Sequence, residues 1–127
     1  MGKSYGLIEV SGVVAAVDSL DAMTKAAEVS FVTWERKLGG RLITVIVEGD
    51  VADCKAAVEA CDNICRENHH ILAASGVIAA PAEETRKMVA LSREGFEKRM
   101  AKRQALLDAA ADAMEDDDSS EKWIQEV

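Results

Sequence analysis

From Tyr5 to Val10 apolar and polar positions alternate loosely among good β-formers, which predicts a first strand. Ser11-Gly12 then offers a helix start. Val13, Val14, Val17, Leu20 and Met23 recur at three- and four-residue steps, so a helix is expected to about Ala27. Val29 to Arg36, with Phe31, Val32, Thr33 and Trp34, reads as a second strand. Lys37-Leu38-Gly39-Gly40-Arg41 reads as a turn, because adjacent glycines release the backbone from steric limits. Leu42 to Val47 is almost continuously apolar and β-branched, the mark of a central strand covered on at least one face. Asp50 is placed to cap a second helix from Val51 to about Asn68, with Cys54, Ala57, Val58, Cys61, Ile64 and Cys65 on one side. A fourth strand, Ile71 to Ala80, passes through the small residues Ala73-Ala74-Ser75-Gly76 and stops at Pro81.

The resulting order, β-α-β-β-α-β within residues 1–81, predicts an α+β, ferredoxin-like domain with its helices on one sheet face. Beyond it, Glu83 to Met114 is dominated by Ala, Glu, Lys, Arg, Met and Leu and reads as one long helical extension, residues 82–114. Its apolar stripe is narrow: Val89 and Phe96 are seven apart, as are Met100, Leu107 and Met114, and Arg93 and Arg103 interrupt it. Such a helix is expected to pack weakly rather than form a strong coiled coil.

Charge refines this division. The 127 residues carry a net charge of −8, distributed unevenly. Residues 1–81 hold seven Lys/Arg against eleven Asp/Glu, residues 82–114 seven against six, and residues 115–127 one against six. The last block, opening Glu115-Asp116-Asp117-Asp118, is an acidic tail that repels itself and is expected to be disordered. The body lacks the net basic face that phosphate binding requires, so nucleic acid is not an expected partner. The longest markedly apolar uncharged run, Ile71 to Ala82, falls short of the ~20 residues a membrane helix needs. The first residues show no signal-peptide pattern, and three cysteines make no disulfide framework. A cytoplasmic chain is expected.

Chemistry is sparse. Cys54, Cys61 and Cys65, with His69, lie on one side of the second helix. A tetrahedral metal site usually draws paired ligands from tight turns such as Cys-x-x-Cys, which are absent, so the cysteines read as small hydrophobes facing the sheet. His69-His70 read as helix-end residues that satisfy carbonyls or the helix dipole. The acids sit mostly on helix faces, and no nucleophile-elbow, Walker or Rossmann spacing occurs. No catalytic residue, metal or cofactor is expected. Gly39-Gly40 between Lys37 and Arg41 places amide donors and two cations in one loop, an anion-nest pattern, though turn statistics favour a plain hairpin turn with solvated charges. Lys98, Arg99, Lys102 and Arg103 form a basic cluster, with Glu94 and Glu97 spaced to make a salt-bridged solvent face.

Several segments together resemble the bacterial microcompartment shell-protein domain, in its single-domain, hexamer-forming class. They are Tyr5-Gly6-Leu7-Ile8-Glu9-Val10-Ser11-Gly12, then Asp21-Ala22-Met23-Thr24-Lys25-Ala26-Ala27, then Lys37 to Val51 and Lys55 to Ala60, in order over residues 4–81. The resemblance implies a structural, non-enzymatic protein: flat homohexamers that tile with other shell proteins around a set of enzymes. It puts the loop Lys37, Leu38, Gly39, Gly40 and Arg41 around a central pore, and Lys25 with Asp21 at the edge between hexamers. Six copies of the amide donors near Gly40, with Lys37 and Arg41, would favour small polar or anionic metabolites. Minimal members lack an extension, and here Trp123 and Ile124 beyond the acidic run would offer a docking element for enclosed enzymes. The alternative reading is a ferredoxin-like regulator that binds a small anion at the Gly39-Gly40 loop.

Overall fold

The computed structural model describes residues 3–36 and 40–115. The elements are β1 (Ser4–Ser11), α1 (Val13–Ala26), β2 (Ser30–Arg36), β3 (Leu42–Gly49), α2 (Val51–Glu67), β4 (Leu72–Ile78) and α3 (Glu83–Glu115). The strands form one sheet in the order β2-β3-β1-β4, every neighbouring pair antiparallel. Two βα units exchanged in this way are the ferredoxin-like arrangement the element order predicts. The acidic run from Asp116 and the Trp123-Ile124 pair lie outside the described residues.

Strand alternation sends two sets of side chains to opposite faces. Ile8 and Val10 of β1, with Ile43, Val45 and Val47 of β3, point to the face that α1 and α2 cover, and all are buried. β2 keeps two large side chains on that face by breaking its own rhythm. Phe31 pairs with Val47 and Thr33 with Ile46, so Val32 is an extra residue. Phe31 and Trp34, three apart, therefore both pack on this core, which strict alternation forbids.

The buried face of α1 is not the valine stripe. Ala15, Ala16, Ser19 and Met23 are inside, whereas Val13, Val14 and Val17 are exposed. The reason lies across the helix pair: α2 presents Ala57, Cys61 and Cys65 to the same core. Small residues on both sides let two helices and a sheet close together, and Ser19 Oγ reaches 3.6 Å from Cys65 Sγ. The cysteines are thus fully buried small side chains, as their spacing suggests.

Two glycines are required by geometry. Gly12, at the N-terminus of α1, has φ 98°, a conformation L side chains rarely adopt. At Gly49 a Cβ would stand 2.8 Å from the Glu28 carbonyl oxygen. Asp50 holds the N-cap position of α2, but its side chain makes no capping bond; its carbonyl accepts from the Cys54 amide at 2.9 Å. At the other end of α2, His69 takes the left-handed conformation (φ 59°) usual for glycine, and the His70 amide bonds back to the Cys65 carbonyl at 2.9 Å. The histidines do close the helix, through their backbone.

The chain divides into two compact units, residues 1–93 and 94–127, with α3 running through the boundary. The first turns of α3 belong to the first unit and pack on part of the second face of the sheet. Val89 is buried with Tyr5 and Ile46, and Leu7 and Val32 pack around them. Arg86 donates to the Lys3 carbonyl at 2.9 Å and lies over the Tyr5 ring, 5.7 Å from its centroid. Arg93 donates to the Val32 carbonyl at 2.6 Å. Ser92 bonds the buried Thr33 hydroxyl at 2.9 Å and also donates to Glu35. The expected pair of helices on one face is present, and the extension contributes an additional short layer on the other.

Candidate assembly and pore surfaces

Residues 37–39 of the hairpin loop lie outside the described residues; Gly40 and Arg41 are exposed at the start of β3. The Gly12 amide donates to the Arg41 carbonyl at 2.8 Å, and the Ser11 amide to the Ile71 carbonyl at 3.1 Å. These bonds tie the β2–β3 hairpin, the start of α1 and the lead-in to β4 together at one end of the sheet. Among the described residues, a Cβ at Gly40 would meet the Leu42 amide nitrogen at an ordinary 3.9 Å.

The outer face of α1 carries Val13, Val14 and Val17, with Asp18 and Asp21 alongside them in a shallow depression. Exposure of Val14 reaches 75%. A cluster of exposed β-branched residues on one helix is unusual for a surface facing only water. The sequence carried a signal for it, because adjacent valines at 13 and 14 diverge around a helix and cannot share the inner face equally.

Lys25 and Asp21 form an exposed ion pair one helical turn apart, 2.7 Å between Nζ and Oδ2. The Asp21 hydrogen bond, reinforced by its charge, raises the Lys25 pKa. One turn nearer the start of α1, Asp18 accepts from Asn68 Nδ2 at 2.6 Å and meets His70 Nε2 at 2.9 Å. Those two partners, Asn68 first, hold the Asp18 carboxyl below its ordinary value. The pair couples α1 to the end of α2.

Acid–base and nucleophilic chemistry find no assembled site among the described residues. Burial pushes the Cys54 thiol up, and burial pushes Cys61 up to about 12, with Cys65 4.0 Å away. Both are kept as thiols at neutral pH. Among the described residues no group of three or more His, Cys, Asp or Glu side chains could hold a metal ion, and no helix is long and apolar enough to cross a membrane. A shallow depression of about 340 Å³ lies on the sheet face away from α1 and α2, lined by Leu7, Glu9, Thr44, Gly76 and Ile78 among others.

Residues 4–81 match the BMC domain family, ending two positions before α3 begins. The chain belongs to the BMC-domain family. Relatives agree. It is 41% identical over 90 residues to carboxysome shell protein CsoS1C of Hydrogenovibrio crunogenus, covering 71% of this chain and 87% of that one. It is 42% identical over 84 residues to a carboxysome shell protein CsoS1 of Prochlorococcus marinus, covering 66% and 81%. A solved microcompartment protein from Desulfitobacterium hafniense DCB superimposes with a TM-score of 0.62 at 25% identity. That match covers 68% of this chain and 48% of the other, so the chain spans about half the length of that protein. The BMC domain here comprises all four strands with α1 and α2. Of the residues the sequence points to, Gly40 and Arg41 lie at the hairpin and Lys25 and Asp21 on α1, two separate surfaces. Arg86, Ser92 and Arg93, which fasten α3 to the sheet, were not among the expected site residues.

Proposed function

We propose that this BMC-domain protein is a structural tile of a microcompartment shell, assembling as a cyclic hexamer whose hairpin loops, residues 37–41, surround a central pore. The observation that carries the reading is the family match over residues 4–81, in a chain whose exposed valine face on α1 is left for another surface to cover. Burying Val13, Val14 and Val17 between copies supplies a hydrophobic contribution to assembly. In a ring the loop contributes six copies of each group, so the exposed Arg41 and the amides near Gly40 act together on a passing solute. Small polar or anionic metabolites are the class such a pore admits. Lys25 and Asp21 belong to the edge between hexamers, with other shell proteins of the same compartment as neighbours. No catalytic step is assigned to the chain, and its place is the cytoplasmic shell.

Native mass measurement and electron microscopy of the purified full chain test this. Six-subunit rings with the hairpin around the axis, assembling into sheets, are the expected result. A stable monomer, or rings with the hairpin on the outer rim, would refute it. Saturable anion binding by a dimer or trimer, with no hexamer, would instead favour a regulatory role for the loop.

A further inference from the structure

Where the first turns of α3 meet the sheet, one face of the helix carries Arg86, Val89, Ala90 and Arg93 at three- and four-residue steps. Val89 fills its contact with the sheet, but Ala90 is exposed and too short to fill the space beside it. A notch of about 390 Å³ results, with Tyr5, Phe31, Val32 and Glu48 on its sheet side and the two arginines on its helix side. Arg86 and Arg93 stand about 10 Å apart along the helix axis. A notch of this volume is of the size that takes small molecules.

Tyr5 carries the inference. It is 5% exposed, and its hydroxyl has no hydrogen-bond partner among the described residues. A buried phenol normally has one. No fully buried side-chain nitrogen or oxygen among the described residues lacks a partner, so the Tyr5 hydroxyl is open, and the notch is what Tyr5 lines. Arg86 lies over the same ring, 5.7 Å from its centroid, and its bond to the Lys3 carbonyl uses one of its five N–H groups. Arg93 is fixed at the other end by its bond to the Val32 carbonyl. The acid in the lining, Glu48, has Lys3 as an ion partner at 3.8 Å. Cations therefore outnumber acids here, in a chain whose net charge is −8.

We propose that this notch binds a small carboxylate with a short, branched apolar body. A phenol O–H and guanidinium N–H groups all donate, and a carboxylate only accepts. Val32, Val89 and Phe31 give the apolar body a surface to cover. Both arginines are already anchored on backbone carbonyls, so little side-chain ordering opposes binding. The site lies wholly within residues 1–93 and stands whether or not the chain forms the ring proposed above.

Ligand-observed saturation-transfer NMR of the full-length chain, titrated with 3-methylbutanoate at constant ionic strength, tests it. Saturable binding with a Kd of about 1 mM or below is expected, and at least about tenfold weaker binding of the neutral 3-methylbutanamide. Tyr5→Phe is expected to weaken binding at least about fivefold while leaving the urea midpoint unchanged, because the hydroxyl bonds nothing in the free protein. Ala90→Leu, which fills the notch from an exposed helix position, is expected to abolish binding without unfolding the domain. Absence of saturation, equal binding of the amide, or unchanged affinity in Tyr5→Phe or in Ala90→Leu would each overturn the proposal. Acetate binding as tightly as 3-methylbutanoate would show that the apolar surface takes no part, and would overturn the ligand class.

Discussion

Val89 offers the sharpest test of how far the folded domain extends past the family boundary at Pro81. It is 8% exposed and packed with Tyr5, Ile46, Leu7 and Val32 on the sheet face that α1 and α2 do not cover. Val89→Ala removes two methylene equivalents from that contact. At about 0.8 kcal/mol per buried methylene the transfer loss is about 1.6 kcal/mol, and the unfilled space adds to it, so a loss of about 1.5–3 kcal/mol is expected. Helix propensity works slightly the other way, since alanine is the better helix former by a few tenths of a kcal/mol. Leu91→Ala, two residues along and 69% exposed, is the matched control and is expected to cost under about 0.5 kcal/mol. The assay is urea unfolding of both variants and wild type at one protein concentration, followed by far-UV circular dichroism, with thermal unfolding in parallel. A shift of about 4–8 °C per kcal/mol is expected for a domain of this size. Equal midpoints for the two variants would show that the α3 turn does not pack on the sheet, and would refute the reasoning.

Lys25→Ala is expected to leave hexamers intact while weakening sheet formation in electron micrographs; tiling equal to wild type would show that Lys25 is not at the edge. Gly40→Trp is expected to fold normally, because among the described residues a Cβ there meets nothing closer than 3.9 Å, and to reduce flux of a charged solute through assembled shells. Unchanged flux would count against the pore. Because the Asp18 carboxyl is held below its ordinary 3.8, its contribution to stability is complete above that pH and is lost as pH falls through the lowered value. Asp18→Asn is therefore expected to flatten the acid limb of the unfolding midpoint, measured from about pH 5 to about pH 2, and an unaltered limb would reject the assignment. The three buried thiols are expected to resist alkylation in the native protein at neutral pH and to react fully once unfolded, as mass spectrometry would record. Native labelling of Cys61 at the unfolded rate would contradict its burial.

The sequence alone determined the order of elements, because a short apolar, β-branched run such as Leu42 to Val47 is read as a strand by its length and composition, and a period-3.6 run such as Cys54 to Cys65 as a helix. It determined the long helix from Glu83, a matter of propensity summed over many residues. The family-like text over residues 4–81 was also legible from residues alone. Tertiary structure decided which way α1 faces. Its valines form as good a stripe as its alanines, and only the small residues of α2 across the seam, Ala57, Cys61 and Cys65, make the alanine side the one that fits. It decided that Thr33 turns toward Ser92, since the extra residue at Val32 is visible only against the register of β3. It decided where α3 is fastened, through Arg86 and Arg93 donating to carbonyls of β-strand residues or their neighbours distant in sequence. Periodicity records what each segment does to its own backbone; which of two equivalent faces goes inside depends on the volume and hydrogen bonds of segments far along the chain.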